Sequence, residues 1–286
     1  MVGADTDFSE WAGKTRRVES DLSHWPAQAA AATLDASDLV LEPGSELPPL
    51  WQWFYFLGTE PQRRLGIDGH PERGGFMPPI DLPRRMFAGA RMRFHRPLVL
   101  GRDAQRTDTI RSVELKSGRS GKLAFVKVGH AFHQGGVLCI EEEQDIVYRE
   151  PGRPVEAPEV RRVEAPADGA WSRRVVPDTR LLFRFSALTF NAHRIHYDRP
   201  YATTEEGYPG LVVHGPLVAV LLADLVRRHQ PEPMTAFEFR GRAPLFDLAP
   251  FQLLGRPRAD EVELEARGPD GATTLTAKAT LSPAAP

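Results

Sequence analysis

The stretch that most limits what this chain can fold into is residues 215–229, GPLVAVLLADLVRRH. Leu217, Leu221 and Leu225 recur every four residues, and Val218 and Leu222 widen the stripe, which is the spacing of an apolar helical face. Proline just inside the start, Arg227 and Arg228 at the end and Pro231 beyond it give the helix its direction. A helix this apolar belongs in a core, and one curved antiparallel sheet wrapped around it is a known way to bury it. Strand-like segments are available. From Met86 on, MRFHRPLVLGR, DTIRSVELKSG, KLAFVKVGHAFHQ and VLCIEEEQDIVYRE follow one another, each bounded by a turn containing glycine. Ile110, Val113 and Leu115 alternate with polar residues, and Leu123, Phe125, Val128 and Ala131 are expected to mark the buried side of the next strand.

The plan is stated twice along the chain. RFHRPLVLG (93–101) precedes strands in the first half, and FRGRAPLFDLAPFQLLG (239–255) does so in the second, followed by DEVELEARGPDG and TTLTAKATLS. Residues 151–170, rich in Pro, Ala and charge with few large apolar side chains, read as a connector. The units are therefore expected at 1–158 and 159–286, each with a central helix before its strands, an α+β organisation. For the first unit that helix is expected in residues 48–58, PPLWQWFYFLG, where Leu50, Trp51, Phe54 and Leu57 share a face. Trp51, Trp53 and Tyr55 could alternatively line a ligand site. Another helix is expected around residues 21–32. After residues 48–58 comes a loop dense in Gly, Pro and charge, RRLGIDGHPERGGFMPPIDLPRR (63–85), longer than most connections and of the kind that forms binding loops or lids.

Composition removes several classes of function. With 286 residues, 41% of them hydrophobic, and a net charge of −2, there is material for a sizeable core and no basic excess for nucleic acid. The single cysteine, Cys139, flanked by Val137, Leu138 and Ile140, reads as a packed core thiol and fits a reducing cytoplasm. No apolar run approaches the roughly 20 residues of a membrane helix, and the polar N-terminus has no secretory apolar segment. There is no G-x-S-x-G, no P-loop, no G-x-G-x-x-G after a strand and no paired C-x-x-C.

Chemistry concentrates in residues 183–224, just before and into the apolar helix. FRFSALTF (183–190) alternates enough to be a short strand, and NAHRIHYDRPY then carries groups that hold or move protons. His196 is the acid–base candidate, because imidazole titrates near neutral pH. Asn191, five residues earlier, can orient a water or a carbonyl but cannot accept a full proton. Gly215 stands at a helix N-terminus, where unpaired amides and the macrodipole favour developing negative charge and a side chain is absent. Together these are the equipment for proton transfer beside a carbonyl. Each residue also has a plainer reading. Asn191 could shape a turn, His193 could lie on the surface, and Asp198 could cap the turn beginning at Arg199-Pro200. His214 could simply precede the helix, and His196 could be a satisfied structural histidine. His193, His196 and Asp198 spell H-x-x-H-x-D, but no metal and no cofactor is expected.

FSALTFNAHRIHYDRPYA followed by GLVVHGPL resembles the MaoC-type enoyl-CoA hydratases and dehydratases, whose signature is an Asp-x-Asn-Pro-x-His-x-Asp loop and then a His-Gly step into the central helix of a hot-dog fold. In that alignment His196 stands at the catalytic histidine and Asp198 at the following Asp. Asn191 replaces the family's catalytic Asp, and His193 replaces its Asn. With PPLWQWFYFL and GGFMPPIDLPRRMFAGARMRFHRPLVLG, residues 40–285 are most similar to the branch holding mesaconyl-C4-CoA and itaconyl-CoA hydratases and mitochondrial type-two hydroxyacyl-thioester dehydratases. The resemblance implies a double hot-dog whose first half lacks a catalytic loop and helps form an acyl-CoA tunnel. It implies a cytoplasmic lyase hydrating an α,β-unsaturated, dicarboxylic acyl-CoA, with His196, Asn191 and Gly215 catalytic and His193, Arg194, His214 and Asp198 around the substrate. Arg84, Arg85 and Arg194 are the candidates to meet a free substrate carboxylate. A straight-chain dehydratase, a hot-dog thioesterase and a non-catalytic thioester-binding protein are the alternatives, and assembly into a homo-oligomer is left open.

Overall fold

The computed structural model describes residues 8–118, 121–152, 154–161 and 169–283. Among these residues ten strands form one antiparallel sheet: β1 (Thr15–Ser20), β2 (Arg84–Phe94), β3 (Ala104–Gly118), β4 (Gly121–Gln134), β5 (Val137–Arg149), β6 (Trp171–Val175), β7 (Met234–Gly241), β8 (Phe251–Pro257), β9 (Glu261–Arg267) and β10 (Thr273–Leu281). Their order is β1-β3-β4-β5-β2-β7-β10-β9-β8-β6. Read inward from either edge, the two five-strand halves have the same connectivity, with β1 equivalent to β6 and β2 to β7. The loops after Phe94 and after Gly241, where the repeated sequence motif lies, occupy the same topological position. The seam is the β2–β7 pairing, Gly89↔Arg240 to Arg93↔Ala236. Gly89 follows a bulge in β2, and a Cβ there would come within 2.4 Å of the Phe239 carbonyl oxygen, so the two halves join where a side chain would not fit.

The apolar run forms α3 (Gly215–His229), packed against β6 to β10. Leu217 to Val226 are all buried, Asp224 among them. Each fully buried Leu or Val contributes roughly 1.5–3 kcal/mol by leaving water, which is why the sheet closes on this helix. Asp224 would be costly there unpaired. It is held by Arg173 at 2.9 Å, Arg227 at 2.7 Å and Arg228 at 2.7 Å. Arg173 and Arg228 also donate to the carbonyls of Leu34 and Asp35 at the end of α1 (His24–Leu34), tying the first half to the second.

Four expectations need correcting. Residues 48–58 do not form a central helix. Only Trp51–Phe54 makes a 3-10 turn, because Leu50 (φ +70°) and Phe56 (φ +54°) hold left-handed conformations on either side that stop a helix from propagating. Its aromatics are nevertheless core: Trp53 donates to Glu142 at 2.9 Å, and Phe54 meets Phe185 edge-on at 5.9 Å. Consequently the first unit has, among the described residues, no helix matching α3. Second, FRFSALTF is not a strand but most of α2 (Thr179–Leu188). Asp178 caps it by accepting the Leu181 N–H at 2.9 Å, and Leu182, Phe185 and Leu188 are buried while Phe183 is 63% exposed. Third, of the four residues expected on the buried side of β4 only Val128 is buried: it lies inward with Ala124 and Val126, whereas Leu123 and Phe125 lie on the half-exposed face, where Lys116 covers the Phe125 ring. Fourth, MRFHRPLVLGR is strand only through Phe94, its remainder forming the loop to β3. The helix near residues 21–32 is present as α1, and Cys139 is buried. In the connector, residues 154–161 have no regular structure, and residues 162–168 lie outside the described residues.

Candidate active site

The site begins at the end of α2. Phe190 takes a left-handed conformation (φ +48°), its N–H bonding to Ala187 O at 3.2 Å, while the Asn191 N–H reaches Ser186 O at 2.8 Å. This is a Schellman ending with a phenylalanine where glycine is usual, and it turns the chain sharply into the His-rich loop. Asn191 Oδ1 then accepts the His193 N–H at 3.0 Å, leaving its amide NH2 group as the donor for other partners. Arg194–His196 forms a 3-10 turn. Asp198 Oδ1 accepts the Tyr201 N–H at 3.1 Å, the capping role its position suggests, and its other oxygen pairs with Arg194 at 2.8 Å.

His196 is placed by two opposing bonds to one segment: its Nδ1–H donates to Val212 O at 2.7 Å, and the Val212 N–H bonds to Ile195 O at 3.0 Å. A carbonyl can only accept, so the neutral ring carries its proton on Nδ1 and keeps the Nε2 lone pair free. The ring stacks on His214 at 3.6 Å and 19°. His214, the residue before α3, is 1% exposed, with Nε2 2.8 Å from Ser186 Oγ. It thereby fixes His196 beside the helix N-terminus. Gly215, the first residue of α3, has no earlier helical carbonyl for its N–H, and a Cβ there would find only the Phe87 carbonyl, at 4.0 Å.

The first half contributes more than a wall. The loop 66–70 docks on the His-rich loop: Asp68 O accepts the Arg194 N–H at 2.9 Å, and Ile67 O accepts from Arg194 Nη1 at 3.0 Å. Gly69 (φ +89°) comes so close to Ala192 that a Cβ would lie 1.8 Å from its carbonyl oxygen. His70, held by Asp68 through Nδ1 at 2.9 Å, lays its ring 4.1 Å from that of His193, which meets His196 edge-on at 5.4 Å. Four imidazoles from both halves form one row. His193, for which a surface position was one reading, is buried.

Burial decides the charge of that row. Desolvation lowers His196 to about 4 against the opposing help of the Val212 carbonyl, with His70's charge lowering it further. It likewise drives His214 well below the ordinary histidine value and is the largest cause lowering His193. His70 is lowered by burial despite its Asp68 partner. Burial pushes Asp68 up, but its bonds from His70 outweigh this and bring it to about 2. At neutral pH the row is a set of uncharged bases beside one carboxylate.

The H-x-x-H-x-D residues do not converge as a ligand set, since Asp198 is committed to Arg194 and His196 Nδ1 to Val212. Atoms of Asp68, His70 and His193 do lie within 4.8 Å of one another, close enough to share an ion. Two of the three are already joined by the Asp68–His70 hydrogen bond. A cavity of about 550 Å³ opens on Asp68, His70, Arg85, Tyr201 and Glu206. His193, His196 and Gly215 are not among the residues lining it, and His70 is its link to the histidine row. Asp68 and His70 were not singled out as site residues from the sequence. The available signal was the glycine-rich loop 63–85 that carries them.

Comparison with known proteins follows the same line. Residues 50–247 match the family model described as hydroxyacyl-thioester dehydratase type 2. The mesaconyl-C(4)-CoA hydratase of Chloroflexus aurantiacus is 62% identical over 278 residues, covering 97% of this chain and 99% of that protein. The mitochondrial hydroxyacyl-thioester dehydratase type 2 of Schizosaccharomyces pombe is 28% identical over 267 residues, covering 83% and 84%. Among solved structures, a MaoC-like dehydratase superposes with a TM-score of 0.71 at 14% identity, covering 96% of this chain and 98% of that one. A Mycobacterium tuberculosis protein described as a double hotdog superposes with 0.59 at 14% identity over 94% and 96%. At such identities these two speak for the fold alone, which is the α+β double hot-dog.

Proposed function

Since the chain belongs to the type 2 hydroxyacyl-thioester dehydratase family, we propose that it is a hydro-lyase that adds water reversibly across the double bond of an α,β-unsaturated acyl-CoA, with mesaconyl-C4-CoA as the substrate. The observation that carries the reading is a buried neutral imidazole, His196, whose Nδ1–H is fixed by Val212 and whose ring is stacked on the residue that precedes Gly215. Water oxygen bonds to the β-carbon as one of its protons passes to His196 Nε2. The π electrons move toward the thioester, where the Gly215 N–H and the α3 dipole stabilise the enolate oxygen. The imidazolium then returns its proton to the α-carbon, so the balance is one water consumed. Asn191 holds the water through its amide N–H, and His193, Arg194, His214 and Asp198 shape the loop and the substrate's surroundings. The boundary between a first unit that completes the acyl site and a second that carries His196 falls near residue 158. Residence in a reducing cytoplasm suits the lone buried thiol. Among the described residues, no helix is long and apolar enough to cross a membrane. Assembly of the chain into a homo-oligomer remains part of the proposal.

The S. pombe relative, a hydroxyacyl-thioester dehydratase by name, favours keeping a second reading, in which the substrate is a straight-chain 3-hydroxyacyl thioester. Incubation with mesaconyl-, itaconyl- and crotonyl-CoA, read by product mass, decides among these readings. Hydration of mesaconyl-C4-CoA, seen as the mass of one added water, is the expected result. Free CoA would indicate a thioesterase, unchanged mass on all three a binding protein, and turnover of crotonyl-CoA alone a straight-chain enzyme.

A further inference from the structure

We infer that Arg85 receives the substrate's free carboxylate and so sets the preference for a dicarboxylic acyl-CoA; the inference rests on the hydratase reading above. Three arginines lie near the site in sequence, and the structure separates them. Arg84 pairs with Glu206, with Nε 3.1 Å from its carboxylate and Nη2 donating to its carbonyl at 2.6 Å, while its buried Nη1 has no partner among the described residues. Arg194 is spent on Asp198 and Ile67 O, with its guanidinium 4.1 Å over the Tyr201 ring. Neither lines the cavity.

Arg85 does line it, half-buried, and among the described residues its guanidinium has no ion pair and no hydrogen bond. The cavity's other arginines are engaged: Arg16 with Asp108 at 2.7 Å, Arg64 with Glu72 at 3.9 Å, and Arg73 with the carbonyls of Ile80 and Pro83. A guanidinium partly withdrawn from water and left unpaired is unfavourable unless something fills the space in front of it. Arg is suited to carboxylate, which it grips through two parallel N–H···O bonds.

Position agrees with chemistry. In a mesaconyl C4 thioester the free carboxylate sits on the β-carbon, the carbon that accepts water. Its partner must therefore lie beside the proton-transfer groups and not at the cavity mouth. Arg85 meets this demand, because it lines the cavity together with Asp68 and His70, and the His70 ring lies 4.1 Å from that of His193 in the row leading to His196. Four carboxylates share the cavity. Asp68 is satisfied by His70, Glu206 by Arg84 and Glu72 by Arg64, and Glu60 completes the set. The acyl-CoA also carries phosphates, and the test separates the two anions.

The probes are mesaconyl-C4-CoA and 3-methylcrotonyl-CoA, the same skeleton with methyl in place of carboxylate. For Arg85→Met we expect kcat/KM on mesaconyl-C4-CoA to fall about a hundredfold or more, from the loss of a partly buried charged pair. The dissociation constants of the two esters, well separated in the native protein, should then lie within about threefold of each other, with 3-methylcrotonyl-CoA binding essentially unchanged. Arg85→Lys should fall between, keeping charge but not the two-bonded grip. Equal weakening of both esters would assign Arg85 to the CoA phosphates and overturn the inference, as would undiminished preference for the dicarboxylic ester in Arg85→Met. A native protein that fails to hydrate mesaconyl-C4-CoA yet binds it in preference to 3-methylcrotonyl-CoA through Arg85 would sink the hydratase reading and leave the carboxylate assignment standing.

Discussion

Replacing His196 by alanine is expected to lower kcat on the preferred thioester by about a thousandfold, within the roughly 10²–10⁴ range of positioned acid–base groups. Neither Asn191 nor His214 is able to take over. Asn191 occupies the position of an acid but carries an amide, and His214 is 1% exposed with its Nε2 at Ser186. Structurally the change is tolerable. It leaves the Val212 carbonyl without a partner, which costs on the order of 1–3 kcal/mol, against a typical total stability of about 5–15 kcal/mol. The variant should keep the native circular dichroism and melt cooperatively a few degrees lower. If steady-state kinetics showed near-native kcat, the proton-transfer role would belong elsewhere in the row, and His70 would be the residue to examine.

Gly69→Ala should be nearly as damaging to activity, although residue 69 touches no substrate in the mechanism. Its Cβ would stand 1.8 Å from Ala192 O, and its φ of +89° disfavours any side chain. The 66–70 loop would have to lift from the His-rich loop, breaking the Asp68–Arg194 backbone bond and parting His70 from His193. Displacements of about 1 Å can cost on the order of a hundredfold in rate, and a loss of that size in kcat/KM is expected. Gly44→Ala supplies the control. Gly44 has φ +97° but nothing within 4 Å of where a Cβ would stand, so it carries the conformational penalty without the collision. Kinetics that fell equally in the two variants would mean that backbone strain, and not loop docking, is responsible.

What the sequence disclosed, and what it withheld, follows from which forces act locally. The α3 helix was readable because ten consecutive buried residues leave an unmistakable apolar stripe. The α2 segment, whose pattern is that of a strand, shows the limit of short-range alternation. Phe183 and Phe190 look like core residues, yet each is 63% exposed, and the informative signal was the capping Asp178 just upstream. In residues 48–58 the composition is that of a core helix, but left-handed turns at Leu50 and Phe56 come from tertiary packing that no periodicity records. His196 and Gly215 can be put forward from residue type and spacing because both lie on one continuous stretch. The Asp68–His70 pair could not be, since 123 positions separate His70 from His193 and only the seam between the half-sheets brings their loops together. Selection of Arg85 over Arg84 and Arg194 likewise depended on ion pairs that exist only in the folded chain.

The pH dependence of kcat/KM tests the central claim most directly, because it reports the free enzyme's essential base. A histidine lowered by burial to about 4 is already unprotonated at neutral pH. Activity should be level from about pH 8 down to about pH 5.5 and decline below that toward an apparent pKa near 4. The same burial costs stability on acidification. Unfolded histidines bind protons below about 6.5 while the buried ones do not, so stability is full above that pH and shrinks as pH falls toward the folded values. Assays below pH 5.5 must accordingly be brief, with native circular dichroism verified and activity shown to recover at pH 7. An acid limb near 4 in protein that is still folded is the predicted result. A reversible limb at 6.5 or above would show that the working base is solvated and ordinary, which contradicts a buried His196 as the group that moves the proton.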